Sequence, residues 1–391
     1  MLKRDLKLNP KHSSFLFGPR LTGKSTCIKM HFNNAKTFNL LEEDLFLQFI
    51  SNPKLFRNLC IQHHKKTGEK LFILDEVQRL PFLLNEVHSM IENQGFIFIL
   101  SGSSARKLKR AGANLLAGRA LENFLFPLTY HEIINAQQEF DLESILKYGS
   151  LPKVYLSNEE EKKGILRAYV NTYLNEEIQQ EGGVRNLPAF IRFLELAAES
   201  NSQELNYSQI ASDSGVRSST IKEYYSILSE TRIGTFLYPW TKSVRKELAG
   251  SPKFYFFDLG IVNALLQKLT SNLSNSEKGP LFEQWLINQV IAHIHYHQLE
   301  RSLNYWKTKA GVEVDLLVSQ SRKPISAIEI KWTSNPTTAH FSGLKSIQEE
   351  HPNIKCFLVC NIPAPETRKI KGKDVEVLPF SDFLTNLDQY L

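Results

Sequence analysis

Short apolar runs alternate with helical stretches over the first 135 residues of the chain. Four such runs lie at 14–17, 71–74, 96–100 and 121–126. Strands that are covered by helices on both faces have this composition, because neither face meets water. The pattern therefore predicts a parallel α/β sheet at the N-terminal end of the chain.

The middle of the chain has a different pattern. From about 142 to 200, apolar side chains recur at helical spacing, which predicts a lid or a connector. Residues 206–240 then contain a helix, a turn at Gly215, a second helix capped by Ser218 and a strand-like run from Gly234. This order of elements predicts a winged helix-turn-helix.

A third pattern closes the chain. A polar stretch at 270–279 precedes a predicted helix from 281 to about 297. Three strand candidates follow, at 303–307, 312–318 and 325–331. At 391 residues the chain exceeds what one hydrophobic core usually organises. We therefore predict an α/β multidomain protein with domains at 1–135, 136–250 and 251–391.

Composition limits the kind of protein. Apolar residues make up 42% of the chain, which fits a packed globular protein rather than a disordered one. The first residues lack an apolar h-region, and no run of about 18 uncharged apolar residues occurs, so we expect a cytoplasmic protein and no membrane partner. A net charge of +6 permits nucleic acid as a partner without indicating it. The four cysteines lack paired CxxC spacing and predict buried thiols rather than a zinc site.

A phosphate-binding motif follows the first predicted strand. The segment Gly-Pro-Arg-Leu-Thr-Gly-Lys-Ser from Gly18 matches G-x-x-x-x-G-K-[ST] without a mismatch, and a helical stretch follows it. Backbone N–H groups at such a helix start cradle a phosphate, Lys24 pairs with its oxygens, and Ser25 coordinates Mg²⁺. We predict that ATP and Mg²⁺ bind to Gly18, Pro19, Arg20, Leu21, Thr22, Gly23, Lys24, Ser25 and Thr26.

Two carboxylates end the second apolar run. The sequence Leu-Phe-Ile-Leu stops at Asp75 and Glu76. We predict that Asp75 holds the Mg²⁺ shell and that Glu76 polarises the attacking water, since a carboxylate can accept its proton. The second acid favours ATP hydrolysis over binding alone.

Three further polar positions near this motif have two interpretations each. Ser101, with Ser103 as the other candidate, follows the third strand and either senses the γ-phosphate or caps the next helix. Arg119 is either an arginine finger, in the same or a neighbouring subunit, or a solvated surface charge. Arg20 either touches the nucleotide or packs the loop.

A set of charged residues characterises the C-terminal part. Glu329 and Lys331 share one face of a predicted strand because side chains alternate, Asp315 lies on a neighbouring strand, and Glu283 lies on the preceding helix. The set resembles that of the PD-(D/E)xK nucleases, in which carboxylates hold Mg²⁺ and the lysine assists attack on a phosphodiester. This resemblance implies that Glu283, Asp315 and Glu329 are metal ligands and that Lys331 is catalytic. The alternative is a charged strand pair in a fold that binds a partner without cutting.

The motifs taken together resemble one protein family. The segments Gly-Pro-Arg-x-x-Gly-Lys-Ser, Leu-Asp-Glu-Val-Gln, Gly-Ser-Ser and Ala-Gly-Arg occur in this order, followed by Gly-Ser-Leu-Pro at 149–152 and Pro-Lys-Phe-Tyr-Phe-Phe-Asp-Leu-Gly at 252–260. The resemblance continues through Glu283, Trp306, Glu-Val-Asp at 313–315 and Ile-Glu-Ile-Lys at 328–331. They look like the prokaryotic AAA+ ATPases with a C-terminal nuclease-like domain of unknown function. The resemblance implies a parallel-sheet P-loop AAA+ domain, a helical and winged-helix connector, and a C-terminal restriction-endonuclease-like α/β domain.

Two hypotheses about function follow. In the first, ATP hydrolysis gates the C-terminal half, which acts on DNA, and Arg217, Ser219, Thr220 and Lys222 contact the duplex from the second helix of the helix-turn-helix. Winged helices also serve as packing or dimerisation modules, so the alternative is that this unit contacts protein rather than DNA. In the second hypothesis, the chain is a nucleotide-dependent switch or scaffold that binds a protein partner and cuts nothing. A homo-oligomer is compatible with both.

Overall fold

Five parallel strands form the first sheet. The computed structural model describes residues 2–103, 105, 106, 108, 116–174, 184, 186–370 and 372–391. The strands are β1 (Ser13–Phe17), β2 (Lys36–Asn39), β3 (Leu71–Asp75), β4 (Ile97–Gly102) and β5 (Ala120–Phe124). Their order is β2-β3-β4-β1-β5, and each neighbouring pair is parallel. The predicted parallel α/β sheet is confirmed.

Helices cover both faces of this sheet, so the central strands β1, β3 and β4 are buried on both sides. The edge strands β2 and β5 are partly exposed, and Leu121, in the run predicted to be buried, is 45% exposed. Side chains alternate along β1: Phe15 and Phe17 belong to one apolar cluster and Leu16 to another. The surrounding helices are Lys24–His31, Glu43–Ser51, Pro53–Thr67 and Leu83–Gln94, with short 3₁₀ turns at Val77–Arg79 and Leu116–Gly118. Because β4 lies between β1 and β3, the carboxyl ends of these three strands meet at one edge.

Helices dominate the middle of the chain. They span Tyr130–Asn135, Leu142–Tyr148, Pro152–Tyr155, Glu159–Ala168, Leu187–Glu199, Tyr207–Ser214, Ser218–Glu230, Val244–Ala249 and Leu259–Leu265, with a π-helical segment at Tyr169–Leu174. The predicted helical stretch at 142–200 includes residues 175–183 and 185, which lie outside the described residues.

A helix-turn-helix and a two-stranded hairpin lie in this region. Gly215 ends the first helix in a left-handed conformation, as the sequence predicts. The second helix starts one residue before the expected position: Arg217, not Ser218, is its N-cap. β6 (Gly234–Leu237) pairs antiparallel with β7 (Lys253–Phe256), so the hairpin crosses the predicted boundary at residue 250.

The C-terminal part is a mixed sheet packed on a long helix (Asn275–Tyr296). Its strands are β8 (Ser302–Lys307), β9 (Glu313–Gln320), β10 (Lys323–Lys331), β11 (Lys355–Cys360), β12 (Glu366–Ile370) and β13 (Lys373–Pro379). Their order is β12-β13-β11-β10-β9-β8; β8, β9 and β10 form an antiparallel meander, and β11 pairs parallel with β10. The remaining helical segments are Thr338–Phe341, Ser342–Glu350, Phe380–Thr385 and Leu387–Tyr390.

The long helix begins six residues before the start that hydrophobic periodicity predicts. Ser274 accepts a hydrogen bond from the N–H of Glu277, whose carboxylate accepts in return from the N–H of Ser274. This capping box satisfies the N–H groups of Ser274 and Glu277, so a polar sequence can start the helix. Pro280 lies inside the helix without ending it.

The described cysteines are buried thiols without disulfide bonds, as predicted. Burial raises the pKa of Cys27 to about 11 and that of Cys356 to about 12, so these thiols are weak nucleophiles at neutral pH. None of the helices in the described part of the chain is long and apolar enough to cross a bilayer.

A buried carboxylate joins two segments that the family resemblance singled out. Asp258 is 2% exposed, and its oxygens accept from the N–H groups of Ser150, at 2.8 Å, and Gly260, at 2.9 Å. Burial raises the pKa of Asp258 to about 6, although these backbone donors oppose the shift. Gly149 makes the close approach possible, because a Cβ there would lie 2.1 Å from Oδ1 of Asp258.

We predict that Gly149→Ala lowers the free energy of unfolding by about 2–4 kcal/mol, because the added methyl group meets a fixed carboxylate. Gly68→Ala is the comparison: both glycines follow a helix at positive φ, 73° and 79°, but ψ is −166° at Gly149 and −5° at Gly68, so Gly149→Ala adds backbone strain to the clash. A Cβ on Gly68 meets nothing within 4 Å. Gly68→Ala should cost only roughly 1–2 kcal/mol of backbone strain. Urea denaturation of both variants measures the difference, and equal losses would contradict the steric explanation.

Candidate functional site

The phosphate-binding loop connects β1 to the helix Lys24–His31, as the motif predicts. Gly18 passes close to the segment that follows β5: a Cβ on Gly18 would lie 2.5 Å from the carbonyl oxygen of Leu125. Leu21 and Gly23 adopt left-handed conformations, with φ of 64° and 90°. These backbone turns place the start of the helix at the carboxyl edge of the sheet, where its free N–H groups can meet an anion.

Lys24 lies folded over this loop. It is 7% exposed, and its Nζ donates to the carbonyl oxygens of Gly18, at 2.8 Å, and Pro19, at 3.2 Å. The hydroxyl of Thr22 is fully buried and donates to the carbonyl of Pro19 at 2.8 Å, so it braces the loop from inside. The ammonium group of Lys24 is thus held within the loop that a phosphate would enter.

A chain of hydrogen bonds links the loop to the ends of β3 and β4. The hydroxyl of Ser25 donates to Oδ2 of Asp75 at 2.9 Å, and the hydroxyl of Ser101 donates to Oδ1 of the same carboxylate. Three residues that span 76 positions of the sequence, from Ser25 to Ser101, therefore meet at one point. Oxygen atoms about 2.9 Å apart suit adjacent ligands of Mg²⁺, so Ser25 and Asp75 are fit to hold the ion that accompanies ATP.

Glu76 lies beside this chain in a constrained backbone conformation. Its φ is 62°, which is uncommon for a residue with a side chain and is typical of functional sites. The amide of Gln78 donates to Oε2 of Glu76 at 2.5 Å and to the hydroxyl of Ser103 at 3.3 Å. Gln78 therefore orients the carboxylate that we expect to activate water, and it ties Ser103 to the same group.

A buried arginine near the N-terminus supports the loop from behind. Nη1 of Arg4 donates to the carbonyl of Thr22 at 2.7 Å, and Nη2 donates to the carbonyl of Phe126 at 2.6 Å and to the hydroxyl of Tyr296 at 3.1 Å. Nε lies 2.9 Å from Oε1 of Glu132. Arg4 thus joins the loop, the segment after β5 and the end of the long helix.

Arg119 lies away from the loop of its own chain. Arg119 directly precedes β5, whose first residue, Ala120, pairs with Ser13 at the start of β1. Gly18 follows the other end of β1, and five strand residues span about 16 Å. Arg119 and the loop therefore lie at opposite ends of the strand. Arg119 pairs instead with Glu92 at the end of the helix Leu83–Gln94. The structure therefore does not bring Arg119 to a phosphate within one subunit. Arg20 is half-buried in the loop.

A second charged cluster lies in the C-terminal part. Nζ of Lys331 is 3.1 Å from Oδ2 of Asp315 and 2.7 Å from Oε1 of Glu329, so these three predicted residues do meet. Oδ2 of Asp315 also accepts from the N–H of Ile330 at 2.8 Å. Oε2 of Glu329 is buried and has no partner among the described residues.

Glu283, the fourth predicted member, is held by other groups. Its Oε1 accepts from the hydroxyl of Tyr255 at 2.6 Å and from Nζ of Lys253 at 3.4 Å. Lys253 also pairs with Glu313. In the described part of the chain, no three His, Cys, Asp or Glu side chains are placed to share one ion. The three predicted ligands are not assembled into a metal site among these residues: Lys331 pairs with both Asp315 and Glu329, and Lys253 pairs with Glu283.

Burial shapes the charge states in this cluster. It raises the pKa of Glu283 and of Glu329 above the usual carboxyl range, and Lys253 and Lys331 only partly offset this effect. Burial opposes the charge of Lys253, but Glu283 and Asp315 outweigh it and hold its pKa above the usual value. Both lysines therefore stay protonated at neutral pH.

Sequence reasoning missed four residues of these sites. Gln78 carried a signal, since it follows the two acids closely in the motif that supports the family resemblance. Lys253 and Tyr255 also lie in a segment of the family resemblance, at 252–260, but nothing in the sequence indicated their partners. Arg4 carried no signal, because its partners are distant in sequence: Arg4 and Tyr296 are 292 positions apart.

Three family models match successive parts of the chain. Residues 11–134 match a family model described as an AAA domain. Residues 139–272 and 278–383 match two models described as domains of unknown function, DUF8612 and DUF4143.

Similar proteins are found in bacteria and archaea. An uncharacterized protein of Mycobacterium tuberculosis is 25% identical, over 82% of this chain and 70% of its own length. An uncharacterized protein of Methanocaldococcus jannaschii is 22% identical, over 96% of this chain and 89% of its own length. The solved structure of a signal transduction ATPase with numerous domains (STAND), with a tetratricopeptide repeat sensor, from Pyrococcus horikoshii is 14% identical, with a TM-score of 0.22. The match covers 76% of this chain but only 48% of that protein, so the chain spans about half its length.

The motif, the strand order and the family match agree on the first part of the chain. The loop after β1 and the acids after β3 lie together at the carboxyl edge of a parallel sheet. The model of an AAA domain covers this whole sheet. Residues 11–134 form a P-loop AAA-like ATPase domain.

Proposed function

We propose that the chain hydrolyses ATP with Mg²⁺ and transmits its nucleotide state to the C-terminal part. The observation that carries the proposal is the contact of Ser25 with Asp75 and of Asp75 with Ser101 beside the loop. These groups come from three different elements, and the chemistry of ATP hydrolysis needs them at one point. Glu76 accepts a proton from the attacking water, and Gln78 holds its carboxylate in place.

Arg4 gives this site a mechanical connection to the rest of the chain. A phosphate that draws Lys24 away from the carbonyls of Gly18 and Pro19 changes the loop conformation. Arg4 donates a hydrogen bond to the carbonyl of Thr22, four residues after Gly18, and another to the hydroxyl of Tyr296 in the long helix. A shift of the loop therefore acts on the helix that carries Glu283 and supports the C-terminal sheet.

DNA cleavage by the C-terminal part is the second candidate function. It is supported by the contact of Lys331 with Asp315 and Glu329. Arg217, Ser219 and Lys222, exposed on the helix-turn-helix, would meet the phosphate backbone. The rival, a switch that binds a protein partner, is supported by the lysines that fill the acid cluster.

We predict that Glu76→Gln keeps ATP binding and loses at least about 100-fold in turnover, since the amide keeps the shape but accepts no proton. Lys24→Ala should lose binding itself, because it removes the charge that faces the phosphates. Glu42→Gln, an exposed acid on the same domain, is the control. Calorimetric titration with ATP and a phosphate-release assay separate the two effects, and unchanged turnover in Glu76→Gln would remove Glu76 from this role.

We propose that Arg119 acts on the nucleotide of a neighbouring subunit in a homo-oligomer. Arg119→Ala should then lower turnover by about 1000-fold with little change in ATP affinity, because the charge acts on the transition state. Specific activity of the wild type should rise with protein concentration. Arg57→Ala, which breaks another ion pair with a glutamate, is the control and should change neither the turnover nor the ATP affinity. Turnover unaffected by Arg119→Ala would place this residue among ordinary surface charges.

If the C-terminal part cuts DNA, cleavage should require Mg²⁺ or Mn²⁺ and should disappear in Asp315→Ala. Lys331→Ala should also lower cleavage, because the lysine would act on the water or on the developing charge. Gel assays on single- and double-stranded DNA, each with and without ATP, test both variants. Absence of cleavage by the wild type under all these conditions would leave the protein-binding switch as the function of this part.

A further inference from the structure

The positive charge of the chain is concentrated in one short part of it. Residues 1–41 contain eight lysines and arginines but one acid, Asp5. The whole chain has 47 basic and 41 acidic residues, so residues 42–391 contain 39 and 40 and are almost neutral. The net charge of +6 therefore belongs to residues 1–41, and such an asymmetry favours a polyanionic partner.

Some of these eight cations are engaged within the fold. Arg4 and Lys24 donate to carbonyl oxygens of the phosphate-binding loop, and Arg20 is half-buried in it. Lys36 lies with its Nζ 5.7 Å from the centre of the Phe38 ring, on the side of the sheet that the helices after β2 cover. The other four are exposed and form no ion pair with a described carboxylate. We call them the lysine face: Lys3, Lys7, Lys11 and Lys29.

The lysine face lies on the opposite side of the sheet. Leu6 and Ile28 belong to one apolar cluster, so the N-terminal segment runs beside the helix Lys24–His31. The lysines of this segment alternate with its buried residues and therefore point away from the cluster. Lys11 lies in the turn before β1, and Lys29 is exposed in the last turn of the helix. Their ammonium groups thus lie on the same side of the ATPase domain.

The one acid of this segment does not neutralise the lysine face. Oδ2 of Asp5 lies 2.8 Å from Nδ1 of His131 and accepts from the hydroxyl of Thr129 at 3.4 Å. The helix Lys24–His31 contains no acid. Ammonium groups without counter-charges repel one another, and an anionic partner would remove this repulsion.

The apolar residues of this side distinguish between two polyanions, a nucleic acid and a membrane. Met30, which is 40% exposed, is the one large apolar side chain that the described residues 2–36 expose. Durable binding to a membrane surface needs several apolar side chains that insert beside the lipid headgroups. Contacts with nucleic-acid phosphates need only cations, which release the counterions of the backbone. The lysine face therefore fits a nucleic acid better than a membrane.

We propose that the lysine face binds the phosphate backbone of nucleic acid without reading its sequence. Lysine acts on phosphate as a point charge and makes no bidentate contact that would select a base. Arg4 lies between Lys3 and Lys7 and bonds the carbonyl of Thr22, so bound nucleic acid lies beside the support of the ATP site. The inference names a surface for the DNA of the second candidate function, and it requires neither cleavage nor ATP hydrolysis.

The test is the binding of a short fluorescent DNA duplex, followed by anisotropy at increasing salt without Mg²⁺ and without ATP. Lys3→Gln, Lys7→Gln and Lys29→Gln combined should weaken binding at least about tenfold, because three phosphate contacts are lost. For the same reason, the slope of log affinity against log salt should become shallower by about 3. The loss should be equal for duplexes of unrelated sequence.

A matched variant controls for net charge. Lys54→Gln, Lys65→Gln and Lys66→Gln combined remove the same charge from exposed positions of the helix Pro53–Thr67, which packs on the opposite side of the same sheet. This variant should keep the salt slope of the wild type. Both triple variants should bind ATP as the wild type does, which shows that the loop is intact in each.

Three results would overturn the inference. The first is an equal loss of affinity in the two triple variants, since net charge alone would then explain it. The second is a wild type that binds no duplex or single strand, or that loses binding only in Arg217→Gln combined with Lys222→Gln. The third is binding to phosphatidylserine vesicles that the lysine-face variant loses while its duplex binding is unchanged. ATP hydrolysis and DNA cleavage can each be absent without affecting these titrations.

Discussion

The buried guanidinium group of Arg4 is the contact on which the arrangement of the ATP site depends. It is 7% exposed, and it is the point where the phosphate-binding loop, the segment after β5 and the long helix meet. A buried charge is tolerated only when it is paired, and Glu132, 1% exposed, supplies the opposite charge. Neither group can be removed without leaving the other unpaired in the interior, so the N-terminal segment fixes how the loop lies on the rest of the chain.

Buried polar contacts of this kind recur wherever two parts of the chain meet. Asp258 accepts backbone N–H groups from the start of the helix Pro152–Tyr155 and from its own helix, and Lys253 reaches into the C-terminal sheet. Hydrogen bonds and ion pairs of this kind depend on direction and distance, so they fix one relative position of the two parts and break when the parts shift slightly. Interfaces built in this way suit a protein whose parts change position with a bound nucleotide.

Local patterns were sufficient for the parts of the structure that depend on neighbouring residues. Apolar runs predicted the parallel sheet, and the motif around Lys24 together with the acids after β3 predicted residues that do meet in space. The early start of the long helix was missed because a capping box, rather than periodicity, sets it. The contacts of Lys253 and Arg4 were missed because only the tertiary fold brings their partners to them.

The origin of Lys253 affects how the chain can be divided. The similarity match at 278–383 contains the acids Glu283, Glu313, Asp315 and Glu329 but neither Lys253 nor Tyr255. A fragment cut at that boundary would keep the carboxylates and lose the ammonium group of Lys253. Its electrostatic self-repulsion, and hence its stability, would then differ from that of the same residues in the whole chain. Recombinant pieces of this protein should therefore be cut before β6 rather than at the limit of sequence similarity.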